Sequence, residues 1–209
     1  LPGVIAMAIV VVASNILVQF LILGGLLTWG AFTYPLAFLV TDIMNRIYGV
    51  AAARRVVFVG VIVGIICSLI GSQIMLEFGP AVPLRIAVAS GTAFLLAQLT
   101  DVGIFNRFRT GAWWRAPLIS TLIGSVLDTV LFFSLAFAAR FAFLDTAFGL
   151  EDRSLAFPVS LFGTGIEAPL WLSLALGDFV VKILIGLAML APYGALLAVL
   201  RPGPALNQR

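Results

Sequence analysis

Long apolar stretches, each about the length that crosses a bilayer, are separated by short segments rich in arginine, glycine and proline. Six such stretches are expected to form helices. The first runs from about Val4 to Leu23 and ends at Gly24-Gly25. The second, from about Thr33 to Ile47, has Pro35 in its first turn and Gly49 beyond its end, the punctuation a helix favours. The third covers about Val56 to Leu76, the fourth about Leu84 to Phe105 and the fifth about Pro117 to Phe141. The sixth, about Leu170 to Leu200, carries Pro192 as a candidate bend. A longer loop, about Ala142 to Ala168, precedes it and holds Asp145, Glu151, Asp152, Arg153 and Glu167. The pattern predicts an all-α, polytopic membrane protein of one transmembrane domain, residues 1–209.

Composition sharpens this picture. The chain is 62% hydrophobic and 10% charged, against about 25% charged for soluble domains. A net charge of +3, confined to loops, gives no footprint for nucleic acid; the expected surroundings are a lipid bilayer. Cys67 has no second cysteine to pair with. The chain begins at Leu1, so a few residues are expected to precede it, and the first stretch is too long for a signal core and reads as a retained helix.

Lysine and arginine set the orientation. Arg54 and Arg55, then Arg107, Arg109 and Arg115, then Arg201 and Arg209 all fall on one side of a six-helix topology. That side is the cytoplasmic one, and both termini lie there. Arg85, Arg140 and Arg153 fall on the other. A split into three plus three helices would make an inverted repeat in which Asp42 corresponds to Asp128.

Against this apolar background four aspartates stand out: Asp42, Asp101, Asp128 and Asp178. A carboxylate at membrane depth is expensive and ordinarily faces a partner charge, a polar cavity or a ligand. Asp42 and Arg46 are four residues apart with Asn45 beside them, which predicts a self-neutralised pair or a substrate contact. Gln98 lies three residues before Asp101, so a carboxamide and a carboxylate share a helix face. Together they offer donors and acceptors at fixed places, as a heterocycle edge requires; alternatively Asp101 pairs with Arg107 or Arg109. Thr121, Ser125 and Asp128 follow helical spacing, and Asp128 has no basic residue in its own helix turn. It is expected unpaired, hence neutral rather than charged. Asp178 and Lys182 form an i,i+4 pair in the favourable order. Asn15 and Gln19 read as interhelical glue, and Gly60, Gly64, Ser68 and Ser72 as a close-packing stripe. Trp113 and Trp114 beside Arg115 read as an interfacial anchor.

Four acids in four spans suit a transporter better than the alternatives. Channels present rings of like groups through oligomers. An intramembrane aspartyl protease needs two aspartates that meet, and only Asp178 follows a glycine here in a suitable way. A purely structural subunit does not account for so many buried acids. No P-loop motif is present, so transport is facilitated, ion-coupled or driven by an energising partner. No cofactor or metal is called for.

Four separated segments carry a resemblance: TWGAFTYPLAFLVTDIMNRIYG with ARR (Thr28 to Arg55), QLTDVGIFNRFR (Gln98 to Arg109), WWRAPLISTLIGSVLDTVLFF (Trp113 to Phe133) and GDFVVKILIGLAMLAPYG (Gly177 to Gly194). Together they resemble the queuosine precursor transporter family, also called vitamin-uptake-like. Many members have Glu where this chain has Arg46. The resemblance implies uptake of 7-deazaguanines, chiefly 7-cyano-7-deazaguanine and by extension 7-aminomethyl-7-deazaguanine, across the bacterial inner membrane for salvage into transfer-RNA queuosine. By size and helix count the family is similar to the substrate-binding subunits of energy-coupling-factor importers. The substrate-binding residues expected on these grounds are Asp128, Asp101, Gln98, Lys182, Asp178, Asp42 and Asn45, with Lys182 donating to a carbonyl or cyano group. Another small planar heterocycle or vitamin, or a binding subunit served by a separate energising module, is the competing expectation. Oligomeric state, homo-oligomer included, is open at this level.

Overall fold

The computed structural model describes residues 1–22, 27–77, 79–147 and 149–200. Its helices are α1 (Pro2–Leu17), α2 (Gly30–Thr33), α3 (Leu36–Tyr48), α4 (Val50–Gln73), α5 (Leu84–Phe108), α6 (Arg115–Phe137), α7 (Phe143–Thr146) and α8 (Leu170–Leu200). Three two-stranded antiparallel hairpins occupy connections: Leu21–Ile22 with Leu27–Thr28, Met75–Leu76 with Gly79–Pro80, and Pro158–Ser160 with Glu167–Pro169. Four helices, α4, α5, α6 and α8, are long and apolar enough to cross a membrane. Helix α1 is apolar but has 16 residues, and α3 has 13 with Asp42, Asn45 and Arg46 among them.

Several boundaries differ from the sequence expectation. The first helix stops at Leu17, and Leu23 to Gly25, where the apolar pattern ended, lie outside the described residues. Helix α4 begins at Val50 rather than Val56, so exposed Arg54 and Arg55 lie in its opening turns and not in a loop. The cause is Gly49: its φ of 85° lies in the left-handed region that favours glycine, and this one residue both ends α3 and starts α4. Pro35 precedes α3 as its N-cap residue rather than lying in its first turn. The fifth span ends at Phe137 instead of Phe141. Helix α8 matches Leu170 to Leu200 and runs through Pro192. The long loop is not irregular throughout: it holds α7 and the third hairpin. Arg201 and Arg209 lie outside the described residues.

The packing is helix on helix. Met7 and Val11 of α1, Ala37 of α3, Val56 of α4 and Phe94 of α5 form one buried cluster, and Phe105, Ala116 and Tyr193 form another from α5, α6 and α8. The small-residue stripe of α4 is tight only at Gly60, where an added Cβ would lie 3.0 Å from Met7 and Phe94. At Gly64 the nearest neighbour would be 3.7 Å away, an ordinary contact. Large apolar side chains such as Ile62, Ile66 and Leu69 of α4, and Val180, Leu184 and Leu187 of α8, point outward and exposed. On a helix that spans a bilayer, that face meets lipid.

The two ends of the bundle are each drawn together by one arginine. The Arg46 guanidinium, at the end of α3, reaches the carbonyls of Arg109 and Trp113 between α5 and α6 and the Tyr193 hydroxyl of α8, the last at 3.0 Å from Nε. It also stands 5.1 Å over the Phe105 ring. Arg85, at the start of α5, is 1% exposed. Its Nε donates to Leu135 O at 2.8 Å and its Nη2 to Ala138 O at 2.6 Å, while Nη1 reaches Asp145 at 2.8 Å, Ser154 at 3.1 Å and Asp152 at 3.5 Å. The Asn15–Gln19 patch is split: Asn15 bonds Val11 O in its own helix, whereas Gln19, past the helix end, bonds Ala81 O.

Candidate functional site

The four membrane aspartates sort into two groups. The first lies between α3, α5 and α6. Positions 41, 42 and 45 share a face of α3, and positions 98, 101 and 102 share one of α5, because both sets repeat at three or four residues. Thr41 Oγ1 lies 2.7 Å from Gln98 Oε1 and 2.9 Å from Ala37 O, and Asn45 Nδ2 donates to Val102 O at 3.0 Å. Ser120 of α6 reaches Asp42 at 3.5 Å. Asp42 and Asp101 are near enough to act on one another electrostatically. Helix α6 can approach this closely because Gly124 has no side chain: a Cβ there would lie 2.8 Å from the Phe38 ring and 3.5 Å from Asp101 Cβ.

This group is buried and incompletely satisfied. Thr41, Asn45, Gln98, Asp101 and Ser120 are fully buried and Asp42 is nearly so. Neither carboxylate oxygen of Asp101 has a hydrogen bond of acceptable geometry, nor do Gln98 Nε2 and Asn45 Oδ1. Buried polar atoms are ordinarily paired, so this cluster of unpaired ones on facing helices makes the α3–α5–α6 interior a candidate binding site.

The second group joins α6, α8 and the residue before α3. Lys182 Nζ donates to Asp128 at 2.7 Å and to Thr129 Oγ1 at 3.3 Å, and pairs with Asp178 at 2.5 Å. Thr129 in turn donates to Asp178 at 3.2 Å, and the Tyr34 hydroxyl to Asp128 at 3.3 Å. An ammonium has three protons to give, and here all three have takers.

Two cavities lie along the seam of α6 and α8. One is lined by Asp42, Phe38, Thr121, Gly186 and Tyr193 among others, the second by Thr121, Ser125, Gly186 and Lys182. Thr121 and Gly186 belong to both. Each has about 10 Å³ accessible to the centre of a water molecule, room for about one water. Gly186 keeps the seam tight, since a Cβ there would lie 3.2 Å from Thr121 Cγ2.

All seven expected site residues are thus inside the bundle, in two sets: Asp42, Asn45, Gln98 and Asp101 in one, Asp128, Asp178 and Lys182 in the other. Asp128 is not unpaired, as its own helix suggested, because α8 brings Lys182 to it. Lys182 has no proton left for a carbonyl or cyano group. Arg46 does not close on Asp42 within 4 Å, and it is drawn instead to Tyr193 and two loop carbonyls. Asp101 pairs with neither Arg107 nor Arg109. Trp113 is more than an interfacial anchor: it stacks on Tyr193 with ring centres 6.4 Å apart. Sequence reasoning did not single out Tyr34, Thr41, Ser120 or Thr129. Ser120, Gly124 and Asp128 at successive steps of four were the available signal for the inward face of α6.

The comparisons with known proteins bear on the same residues. A family model described as "Putative vitamin uptake transporter" matches residues 28–196. The chain is 37% identical to the queuosine precursor transporter of Escherichia coli over 92% of its own length and 83% of that protein. It is 33% identical to the probable queuosine precursor transporter of Haemophilus influenzae over 83% of its length and 69% of that protein. No solved structure matches the chain. The family match takes in every side chain of both polar groups, from Tyr34 to Lys182. The chain therefore belongs to the putative vitamin uptake transporter family, a family of transporters rather than enzymes, alongside these two queuosine precursor transporters.

Proposed function

We propose that this chain carries queuosine precursors, 7-deazaguanines such as 7-cyano-7-deazaguanine, across the bacterial inner membrane. It does so as one six-span domain with both termini cytoplasmic, the size and helix count of energy-coupling-factor substrate-binding subunits. The names of the two relatives supply the substrate class. The arginine-marked ends of α4, α5 and α6 support the orientation.

One observation carries the recognition: the Nε2 of Gln98 is buried with no partner three residues from Asp101 on α5, and the buried Asp101 carboxylate has only Ser120 and Asp42 within reach, with no cation among the described residues. A 7-deazaguanine presents, side by side, a ring N–H, an exocyclic amine and a carbonyl oxygen. A carboxylate accepts from the first two in a bidentate manner and the carboxamide donates to the third. With Oε1 accepting the Thr41 hydroxyl, the Gln98 Nε2 is left to donate. Asp42 and Asn45 form the α3 wall of this site. Asp128, Asp178 and Lys182 are bonded to one another and are not assigned to the substrate.

Calorimetric titration of 7-cyano-7-deazaguanine into the detergent-purified chain, with the Asp101→Asn variant beside it, tests this. A hydrogen bond to a charged group is worth about 1.5–3 kcal/mol, so the variant should bind about tenfold to 150-fold more weakly. Wild-type affinity in Asp101→Asn overturns the assignment of the edge. Absence of binding to the intact protein overturns the substrate class, and guanine and other planar heterocycles then become the next ligands to titrate.

A further inference from the structure

The second polar group does not balance its own charge. Two carboxylates, Asp128 and Asp178, share one ammonium, Lys182. The other groups bonded to them are neutral hydroxyls: Tyr34 from the segment before α3 and Thr129 from α6. Among the described residues no second cation reaches either carboxylate within 4 Å. One negative charge is therefore left over. Asp128 and Lys182 are 2% and 4% exposed, and the Asp178 side chain is 15% exposed. An uncompensated charge at that depth is strongly unfavourable.

A second observation points to a ligand. Ser125 is 1% exposed and its hydroxyl has no partner. It lines, together with Lys182, a cavity of about the volume of one water. That cavity shares the lining residues Thr121 and Gly186 with the one lined by Asp42, so Lys182 of the triad lies near the α3 wall of the α3–α5 site.

The geometry points to a monovalent-cation site at the Asp128–Lys182–Asp178 triad, taking a proton or a sodium ion that travels with the substrate. As a proton it adds to a carboxylate oxygen; as sodium it is held by carboxylate and hydroxyl oxygens. In either case the triad becomes neutral and the helices carrying it can shift without dragging a bare charge through hydrocarbon. A neutral heterocycle bound at the neighbouring site is then drawn inward by the gradient of the cation. The inference rests on the substrate reading above and adds the driving force to it.

Reconstituted full-length protein in liposomes distinguishes the two. Counterflow of labelled 7-cyano-7-deazaguanine, with no ion gradient, reports transport itself. Net uptake is then measured under an inward pH gradient with sodium absent, and under an inward sodium gradient with pH clamped. One of the two gradients should drive accumulation, up to about tenfold per tenfold gradient for one cation per substrate. Asp178→Asn balances the triad without any cation, so the ratio of gradient-driven uptake to counterflow should fall to about one. Counterflow that neither gradient augments in wild type overturns the cation site and leaves the substrate reading standing. Gradient-driven accumulation that persists in Asp178→Asn does the same. No counterflow at all overturns both.

Discussion

Replacing Arg85 by Met removes the centre of the clamp that ties α5 to the end of α6 and to the following loop. Arg85 and Asp145 are each 1% exposed and 2.8 Å apart. Removing one partner of such a pair strands the other charge, at about 3–5 kcal/mol. The contact to Asp152 adds little, because that side chain is 48% exposed and 3.5 Å away, and such pairs contribute about 0–1 kcal/mol. The carbonyls of Leu135 and Ala138 each lose the Arg85 donor. For a chain of this length about 2–4 °C of melting temperature accompanies each kcal/mol, so Arg85→Met should melt about 6–20 °C below wild type. Tryptophan fluorescence during a thermal ramp in detergent reads this directly. A second variant tests the stranded charge: Asp145→Asn, added to Arg85→Met, removes the stranded carboxylate and should recover part of the loss. A shift smaller than about 2 °C for Arg85→Met would refute the clamp. A double variant that melts below the single one would refute its electrostatic basis.

Two further outcomes are expected. Gly124→Ala sets a Cβ 2.8 Å from the Phe38 ring, so α6 must back away from α3. The expected cost is about 1–3 kcal/mol, with a weaker grip on 7-deazaguanine in the same calorimetric titration; an unchanged melt and unchanged affinity would mean that the ring yields without moving the helix. The pH response of the Arg85 clamp has a definite sign. Hydrogen bonds from the Ser154 side chain and backbone hold the exposed Asp152 carboxyl below its ordinary range, so this contribution is present at neutral pH and is lost only as pH falls through that lowered value. The loop around Ser154 should therefore show the same amide exchange protection, after correction for intrinsic rate, at pH 7 and pH 5; loosening already at pH 5 would contradict the Ser154 bonds.

Local features were legible from the chain and cross-helix ones were not. The Asp178–Lys182 pair follows from a spacing of four and is present. The same spacing predicted Asp42 with Arg46, and the two act on one another electrostatically without closing to a salt bridge within 4 Å. Arg46 sits at the last turn of its helix, and its long side chain is better served by unpaired carbonyls of the α5–α6 connection than by a carboxylate further inside. Asp128 looked unpaired because its partner is 54 residues away on another helix; periodicity gives the inward face of each helix but not which faces meet. The start of α4 was missed because Arg54 and Arg55 read as loop. On the first turns of a spanning helix they extend to the interface, and the real boundary signal was the single residue Gly49. Gln98 and Asp101 were recognisable as a carboxamide and carboxylate on one face. That their outer atoms are unsatisfied depends on what α3 and α6 fail to offer, which is a property of packing alone.

The size of the two cavities constrains how any heterocycle reaches Asp101. Sites for small organic ligands are typically ~300–1,000 Å³, whereas each cavity on the α6–α8 seam has room for about one water. On the proposed function, a bicyclic base therefore enters only when the helices around these cavities separate. The contacts that would have to part there include close glycine faces, Gly124 against Phe38 and Gly186 against Thr121, and the polar pairs Lys182–Asp128 and Thr129–Asp178 that tie α6 to α8. Further contacts resist at the two ends. Arg85 holds α5, the end of α6 and the loop on one side, and Arg46 holds α3, the α5–α6 connection and α8 on the other. On the proposed transport function, loosening the Arg85 end and loosening the Arg46 end would expose the polar interior to opposite sides of the membrane.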